Sequence, residues 1–359
     1  MKEKQLVKLL TVAGLCTMLY ACGGGGSGSS GGTSTPTGTG TGTPSATGTM
    51  NMAVTDGPSD SFNHVWVTIN AIALHTSPDQ IWTPADATWQ TTTLPAPITI
   101  DLASLNNGAL NTVFGGMTLP VGTYRQIRFF LAGSNDALTN SAQATLDNET
   151  TRTPLQWNDQ VEYINATTGV TSEAPLEIAR PVQGIKLDGT FNASAGSTLN
   201  LVTDFDLEKI IVPFMHDSTQ AFTMRPSLRY FDLNQSGAIA GTVNPASLCQ
   251  TATPTSSCAY NLIVHAETLS ADGTRHTAVR STSVNPTTGQ FTLYPVSLND
   301  SNGNPLKYDI VIRGRNMETM LVTGVTPTGT ANSGAAQVQR TPITPIINAT
   351  EYGTQFASS

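Results

Sequence analysis

The chain has 359 residues and a formal net charge of −8 at neutral pH, and only 12% of its residues are charged. Nucleic-acid-binding proteins show a basic footprint, and anionic membranes recruit clusters of basic residues, so this acidic balance argues against nucleic acid and against polybasic docking to lipid. A hydrophobic share of 38% is enough to build cores, and the length predicts two domains.

Residues 1–21 have the parts of a secretory signal. Lys2, Lys4 and Lys8 form a positive start, and the apolar stretch at residues 9–19 is too short to span a bilayer. We therefore interpret this segment as a signal peptide and not as a transmembrane helix.

The end of this signal, Leu19-Tyr20-Ala21-Cys22, resembles the lipobox of bacterial lipoproteins. The resemblance implies that Cys22 becomes the first residue of the mature chain and carries three acyl chains, among them palmitate. Each buried CH₂ group contributes about 0.8 kcal/mol, so three chains make a durable membrane anchor. By the same resemblance, Gly23 favours the outer membrane of a Gram-negative bacterium. The alternative is an ordinary signal peptide cleaved near Ala21, which leaves Cys22 as a free thiol.

Residues 22–49 form the next predicted segment. After Cys22, every residue except Ala46 is Gly, Ser, Thr or Pro. Such a segment cannot bury enough apolar area to offset the entropy cost of ordering. The composition predicts a flexible tether with a reach of roughly 30 Å.

From residue 50 the hydrophobic pattern changes to a period of two, which is typical of β-strands. Met50, Met52 and Val54 share one face, the alternation returns at residues 65–69, and a slip of phase at residues 70–71 predicts a β-bulge. Residues 101–114 alone look partly helical. We predict an all-β fold of two antiparallel sandwich-like domains. Further candidate strands are residues 98–102, 124–131, 184–193, 198–207 and 222–231.

Several short motifs follow one another in this region: MAVTDGP at 52–58, VWVTI at 65–69, LPVGTYRQIR at 119–128, GIKL at 184–187 and DFD at 204–206. In this order they resemble the bacterial lipoprotein family known as domain of unknown function 4382, over residues 50–233. The stretch before Gly184 departs from the turn that is usual in that family. The resemblance implies an extracytoplasmic β-rich domain with no assigned activity.

Residues 236–345 form the second predicted domain, followed by a tail at 346–359. Candidate strands at 237–243, 262–266, 288–293 and 308–314 resemble by their spacing the carboxypeptidase regulatory-like (transthyretin-like) β-sandwich, which implies a structural or interaction module. Residues 343–347 are a candidate edge strand. Cys249 and Cys258 are expected to form a disulfide in an oxidising periplasm, and a metal-binding pair is the alternative.

Two groups of residues are candidates for ligand binding. Trp82 and Trp89 lie in a proline-broken loop, residues 76–97, where a flat ring would stack on a sugar or on a partner's side chain; core burial or loop anchoring is the alternative. The acidic group would supply oxygen ligands for Ca²⁺, and its alternative is a turn residue plus a solvated strand face. Its members are Asp56, Asp60, Asp204 and Asp206.

No catalytic constellation stands out in the sequence. The five histidines, at positions 64, 75, 216, 265 and 276, form no zinc-binding pattern. We therefore expect no enzyme but a lipid-anchored binding or structural module of the cell envelope, with an envelope protein or a glycan as its partner. The alternative is an envelope hydrolase with an unrecognised active site, because the members of a catalytic triad lie far apart in sequence.

Overall fold

The computed structural model describes residues 46–59, 61–148, 156–165, 168–216, 219–225, 227–243, 262–270, 272–314, 319–327, 330–331 and 340–341. Over these ranges the chain is built almost entirely of β-strands, with two short α-helices, so the predicted all-β class is confirmed. The described residues belong to one unit, Ser45–Ser359. Within them, no helix has the length and apolarity that a bilayer crossing needs.

The first part of the chain forms twelve strands and both α-helices. In chain order they are β1 (Thr47–Thr55), β2 (Phe62–His75), β3 (Gln90–Asp101), β4 (Asn111–Pro120), β5 (Gly122–Leu131), α1 (Asn140–Asn148), β6 (Gln160–Ile164), β7 (Thr171–Ile178), β8 (Ile185–Ala193), β9 (Thr198–Asp204), α2 (Leu207–Ile210), β10 (Ile211–His216), β11 (Thr219–Met224) and β12 (Arg229–Asp232). Short 3₁₀ helices cover Leu102–Ser104, Pro181–Gln183 and Leu233–Gln235.

These strands form two sheets. One has the order β12-β9-β1-β4, and the other has the order β10-β11-β7-β6-β2-β5-β8, with β3 paired to β2. Most neighbouring strands are antiparallel, as predicted, and the pairs β1–β9 and β7–β11 are parallel. Parallel neighbours need a long crossover, and both pairs join strands that lie far apart in the chain.

The two sheets share one hydrophobic core. The predicted inner face of β1 is confirmed, because Met50, Met52 and Val54 are fully buried there. Phe205, which follows β9, meets Phe129 of β5 edge to face, with ring centroids 6.1 Å apart. This contact joins the four-stranded sheet to the larger one.

The predicted bulge in β2 is confirmed, since its register with both neighbours shifts between Ile69 and Ala71. The predicted loop at 76–97 is shorter than expected, because β3 begins at Gln90. Pairing of β3 with β2 covers residues 90–93 and 98–101, and Pro95 and Pro97 lie in the interruption between them. A proline lacks the backbone N–H that strand pairing needs, so a strand tolerates proline where its pairing is interrupted.

Two other expectations need correction. The partly helical segment at 101–114 contains only one 3₁₀ turn, and from Asn111 onward it is strand β4. The candidate strand at 222–231 is two separate strands, β11 and β12. The helix α1 has no strong amphipathic pattern, which is why the sequence did not indicate it.

The second part of the chain contains the remaining strands: β13 (Ser236–Thr242), β14 (Leu262–Leu269), β15 (His276–Ser283), β16 (Gln290–Ser297), β17 (Tyr308–Gly314), β18 (Met320–Val325), β19 (Thr330–Ala331) and β20 (Arg340–Thr341). They form a sheet of order β15-β14-β17-β18 and two pairs, β13-β16 and β19-β20. All four candidate strands are present, and β15 and β18 were missed. The resemblance to the transthyretin-like sandwich stays a prediction.

The two parts meet across buried surfaces. A small apolar cluster contains Ala53 and Val202 from the first part and Tyr294 from β16. Beside it, Asn107 and Gly108 form a turn with positive φ angles of 55° and 78°. A Cβ atom on Gly108 would lie 3.1 Å from the Tyr294 Cβ, so this close approach needs glycine. The predicted domain boundaries stay a prediction, but the two parts are packed together.

Candidate functional site

A groove of about 450 Å³ opens beside the β10–β11 hairpin. Its lining comes from five elements or their flanks: β2, β6, α2, β10 and β11. Because these segments are distant in sequence, no local sequence motif indicates the groove. It is the candidate binding site of the described chain.

The groove is present because the β10–β11 hairpin extends beyond the side chains that pack against the inner face of the hairpin. In β10, Ile211, Pro213 and Met215 share one face, since side chains alternate along a strand. Ile211 is buried at the base, Pro213 is exposed, and Met215 is 61% exposed towards the tip. The apolar side chains of this face therefore continue beyond the buried base of the hairpin.

Three aromatic rings form the floor of the groove. Phe222 of β11 meets Phe62 of β2 and Tyr163 of β6 edge to face, with ring centroids 5.7 and 4.9 Å apart. Phe62 and Tyr163 are themselves cross-strand partners. Edge-to-face pairs favour a fixed mutual orientation of the rings, so the floor is rigid before any ligand arrives.

One carboxylate stands at the rim of the groove. Oε1 of Glu208 accepts hydrogen bonds from the Ser59 hydroxyl at 2.7 Å and the Ser61 N–H at 3.1 Å, and Oε2 accepts from the Ser61 hydroxyl at 3.2 Å. These three donors fix the position of an exposed negative charge. Among the described residues of the lining, Glu208 is the only carboxylate, and none of them is a basic residue.

The tip of the β6–β7 hairpin adds apolar surface next to this rim. Ile164, which lines the groove, is 55% exposed, and Val170 on the other side of the tip is 61% exposed. Single exposed aliphatic residues are common on surfaces, but here Ile164 lies with Pro213 in the lining of a groove. The lining therefore combines these exposed apolar residues with Glu208 and with the polar residues Ser61 and Gln220.

The predicted acidic group lies elsewhere, where the two parts of the chain meet. Asp204 is fully buried, and its two carboxylate oxygens bind Nη1 of Arg280 at 2.9 Å and Nη2 of Arg229 at 3.0 Å. Asp206 binds the same Arg229 nitrogen at 2.8 Å and is also paired with Lys209. The predicted solvated strand face is wrong for Asp204.

Arg280 is the centre of this buried network. Its side chain is only 1% exposed. Nη2 donates to the Thr55 hydroxyl at 2.8 Å and to the Asp56 carbonyl at 2.9 Å, and Nε donates to the Tyr294 carbonyl at 3.1 Å. With the bond to Asp204, the guanidinium from β15 is held by β1, β9 and β16, so it joins the two parts of the chain.

Asp56 lies beside this network and is fully buried. Oδ1 accepts the N–H of Leu207 at 3.0 Å, while Oδ2 has no partner in the described structure. Burial raises the pKa of Asp56 well above its usual value and nearby Asp204 raises it further, against the opposing effects of the Leu207 N–H and Arg280.

The calcium hypothesis requires carboxylate oxygens that are not already bonded to other groups of the protein. Arginine side chains occupy the lone pairs of Asp204 that a cation would use, and among the described residues no group of three His, Cys, Asp or Glu side chains is arranged to hold a metal ion. Asp60 lies outside the described residues. The structure thus brings Asp56, Asp204 and Asp206 together around arginines.

We predict that Asp56→Asn flattens the pH dependence of stability. Because the pKa is higher in the folded chain than in the unfolded one, stability falls as the pH rises from about 4 through the folded-state pKa. Asparagine does not ionise, so urea midpoints of the variant should fall less between about pH 4 and pH 8. The control is Asp188→Asn, at an exposed carboxylate. Parallel profiles for Asp56→Asn and the unaltered chain would contradict the prediction.

The two predicted stacking residues belong to the loop between β2 and β3. Trp89 is 6% exposed, its ring lies 4.8 Å from His75, and the Arg128 guanidinium lies 5.6 Å from its centroid. In this position Trp89 anchors the loop. Trp82 is half-buried and packs against Phe130 at 4.6 Å. Neither ring lines the groove, and ligand stacking stays a prediction for Trp82.

The same loop is held by Arg128, a buried residue that forms no ion pair with a carboxylate of the described residues. Its guanidinium donates to Oε1 of Gln126 at 3.1 Å and to the backbone carbonyls of Gln183 at 2.7 Å and Gln80 at 3.4 Å. Burial lowers the pKa of Arg128, with a small opposing effect of Asp188. These bonds to neutral oxygens give the residue a loop-holding role that the sequence did not indicate.

The histidines are mostly engaged within the fold. Nδ1 of His64 lies 2.5 Å from Asp101 Oδ2, and no hydroxyl or thiol of the described residues is bonded to its other ring nitrogen. His265 bonds the Ser281 hydroxyl at 2.8 Å, and burial, with a smaller effect of Arg313, lowers its pKa to about 4. A catalytic triad around His64 would need a nucleophile that the described structure does not place there.

Several predicted site residues lie outside the described residues. They include Cys22, Cys249 and Cys258. Lipidation at Cys22 and pairing of Cys249 with Cys258 therefore stay predictions.

Comparison with known proteins gives one family. Among curated proteins, none matches this chain. A solved leucine-rich repeat protein from Bacteroides thetaiotaomicron VPI-5482 aligns with a TM-score of 0.17 and 10% identity over 78% of this chain, which spans 25% of that protein's chain. A protein from Parabacteroides distasonis ATCC 8503, described as a candidate cell adhesion protein, aligns with a TM-score of 0.17 and 10% identity over 82% of this chain and 90% of its own. These TM-scores carry no argument about fold or function.

The match to a family model is of a different kind. It covers residues 47–226, which are 180 of the 359 residues. This range contains β1 to β11, and hence all the residues that line the groove. The chain belongs to the family described as Domain of unknown function (DUF4382).

Proposed function

We propose that this chain is a binding module and that the groove between the β10–β11 hairpin and β6 is its ligand site. The observation that carries the proposal is the exposed inner face of the hairpin, where Pro213 and Met215 continue a core pattern beyond the core. Leaving apolar side chains in water costs free energy, and a ligand that covers them recovers it. Binding sites are typically concave and combine apolar side chains with a few placed polar groups, and this groove has both.

We further propose that the module is held at a membrane of the cell envelope through Cys22. This part rests on the resemblance of residues 19–22 to a lipobox and on the predicted tether that follows. Palmitate labelling of the chain, lost in Cys22→Ser, tests it. An equal label in both proteins would refute the anchor.

A small neutral aromatic probe tests the groove itself. We expect 4-methylphenol, titrated into the full chain, to shift NMR signals of Tyr163, Ile164 and Gln220, because its ring covers the exposed apolar rim. Ile164→Asp places a charge in the lining and should weaken the binding at least about fivefold, since a buried unpaired carboxylate is costly. The matched control is Val170→Asp, on the same hairpin and equally exposed but outside the lining. Probe shifts that map elsewhere, or equal effects of both variants, would refute the proposed site.

A further inference from the structure

β10 is the end strand of its sheet, and its residues Ile211 and Pro213 line the groove. In the β10–β11 register, Ile211 faces Met224, Pro213 faces Phe222 and His216 faces Thr219. The N–H of Arg225 bonds the carbonyl of Ile210 at 2.7 Å, which fixes the even-numbered residues of β10 as the hydrogen-bonded positions. The N–H and C=O groups of the odd-numbered residues therefore point away from β11, and no described strand pairs with them.

This edge is only partly available for pairing. Met215 offers both an N–H and a C=O, but the N–H of Ile211 already donates to the Leu207 carbonyl and Pro213 has no N–H. Prolines commonly protect edge strands against unspecific pairing. One full pairing position therefore remains at Met215, and the carbonyls of Ile211 and Pro213 add two outward acceptors. A short extended segment fits such an edge better than another complete sheet does.

The charge of the groove selects among such segments. Of the described residues in its lining, one side chain is formally charged, Glu208, and the other polar members, Ser61, Tyr163 and Gln220, are neutral. The chain as a whole carries a net charge of −8. A cationic side chain placed at this rim meets an oriented carboxylate, whereas an acidic one meets repulsion.

We propose that the groove and the β10 edge together bind an extended peptide that places an apolar side chain over the aromatic floor and a lysine or arginine against Glu208. This inference rests on the proposed function of the groove. In an extended peptide, every second side chain lies on one face, about 7 Å from the next. One such residue enters the groove while its neighbour on the same face reaches the rim. Backbone pairing supplies affinity and the pocket supplies specificity, as in other cases of strand addition.

A set of capped heptapeptides tests each part of this inference on the full chain. In the first peptide, threonines alternate with lysine, leucine and lysine, so that these three side chains share one face. A second has glutamates in place of the lysines, a third has serine in place of the leucine, and a fourth carries N-methyl groups on its backbone amides. Calorimetric titration at low salt is the measurement. We expect the first peptide to bind about tenfold more tightly than the glutamate peptide, from the sum of a surface attraction and a similar repulsion.

Two charge variants with a matched control make the result specific. Glu208→Lys should reverse the preference so that the glutamate peptide binds more tightly, and Glu208→Gln should abolish the preference without reversing it. Asp79→Lys changes the net charge equally at an exposed position outside the groove lining and should leave the preference unchanged. Unaltered circular dichroism and thermal midpoints show that the variants remain folded.

The outcomes separate this inference from the proposed function. If 4-methylphenol occupies the groove but the lysine and glutamate peptides bind equally, the peptide inference is wrong and the groove remains a binding site. Equal affinity for the N-methylated or the serine peptide also overturns it, because pairing or the apolar contact then contributes nothing. If neither 4-methylphenol nor any peptide binds, both proposals fall.

Discussion

Replacing Arg280 by methionine is expected to lower the free energy of unfolding by about 3–5 kcal/mol, because the change leaves a buried carboxylate short of its partner. Asp204 is as buried as Arg280, and in the variant it loses its bond of 2.9 Å to Nη1 of Arg280. The Thr55 hydroxyl and two backbone carbonyls lose their donor in the same step. Methionine keeps much of the volume, so the cost comes from unpaired polar groups.

Urea denaturation measures this prediction, with a surface arginine as the matched control. The Arg125 side chain is exposed and donates to the Thr190 hydroxyl at 2.9 Å, so Arg125→Met should cost at most about 1 kcal/mol. Arg280→Lys keeps the charge but loses the planar fork, so it should fall between the two. An Arg280→Met variant as stable as Arg125→Met would show that the network contributes little.

The same variant tests how firmly the two parts of the chain are joined. In the unaltered chain Arg280 links β15 to β1 and β9, and Arg229 of β12 reaches the Ala278 carbonyl at 3.1 Å. If these bonds couple the parts, their removal should separate the unfolding of the two cores, and the two-state approximation should fail. Two resolved transitions in Arg280→Met, against one in the unaltered chain, are the expected readout.

The sequence predicted what depends on local pattern. The bulge at residues 70–71 followed from a slip in alternation, and the buried face of β1 followed from the spacing of Met50, Met52 and Val54. Each of these two signals is contained in a few neighbouring residues. Period-two patterns therefore identified most strands and the all-β class.

The sequence could not predict what depends on distant partners. Arg280 lies in a strand whose neighbours are mostly polar, and its carboxylate partner is 76 positions away. The sequence grouped Asp56, Asp204 and Asp206 as candidate calcium ligands, but nothing local shows that arginines contact them. The groove was missed for a similar reason, since its emptiness depends on where the other strands end. A strand whose apolar residues extend beyond the core has the same sequence pattern as a strand whose apolar residues are all covered.

The core prediction with the largest expected effect is Phe129→Ala, which should cost about 3–5 kcal/mol. Phe129 is fully buried between the two sheets of the first part and packs edge to face against Phe205. Alanine leaves a cavity that β-strands cannot close by collapsing, because both neighbours of β5 hold it in register.

The adjacent residue supplies the control for this change. Phe130 lies on the same strand but on the opposite face, half-buried against Trp82. Phe130→Ala should cost about 1–2 kcal/mol, since only part of its area is buried. It should instead loosen the loop that Trp82 and Trp89 anchor, which faster amide exchange at residues 80–84 would show. If the two alanine variants lose equal stability, then β5 does not separate a core face from a loop face, and the assignment of Phe129 to the centre of the fold is wrong.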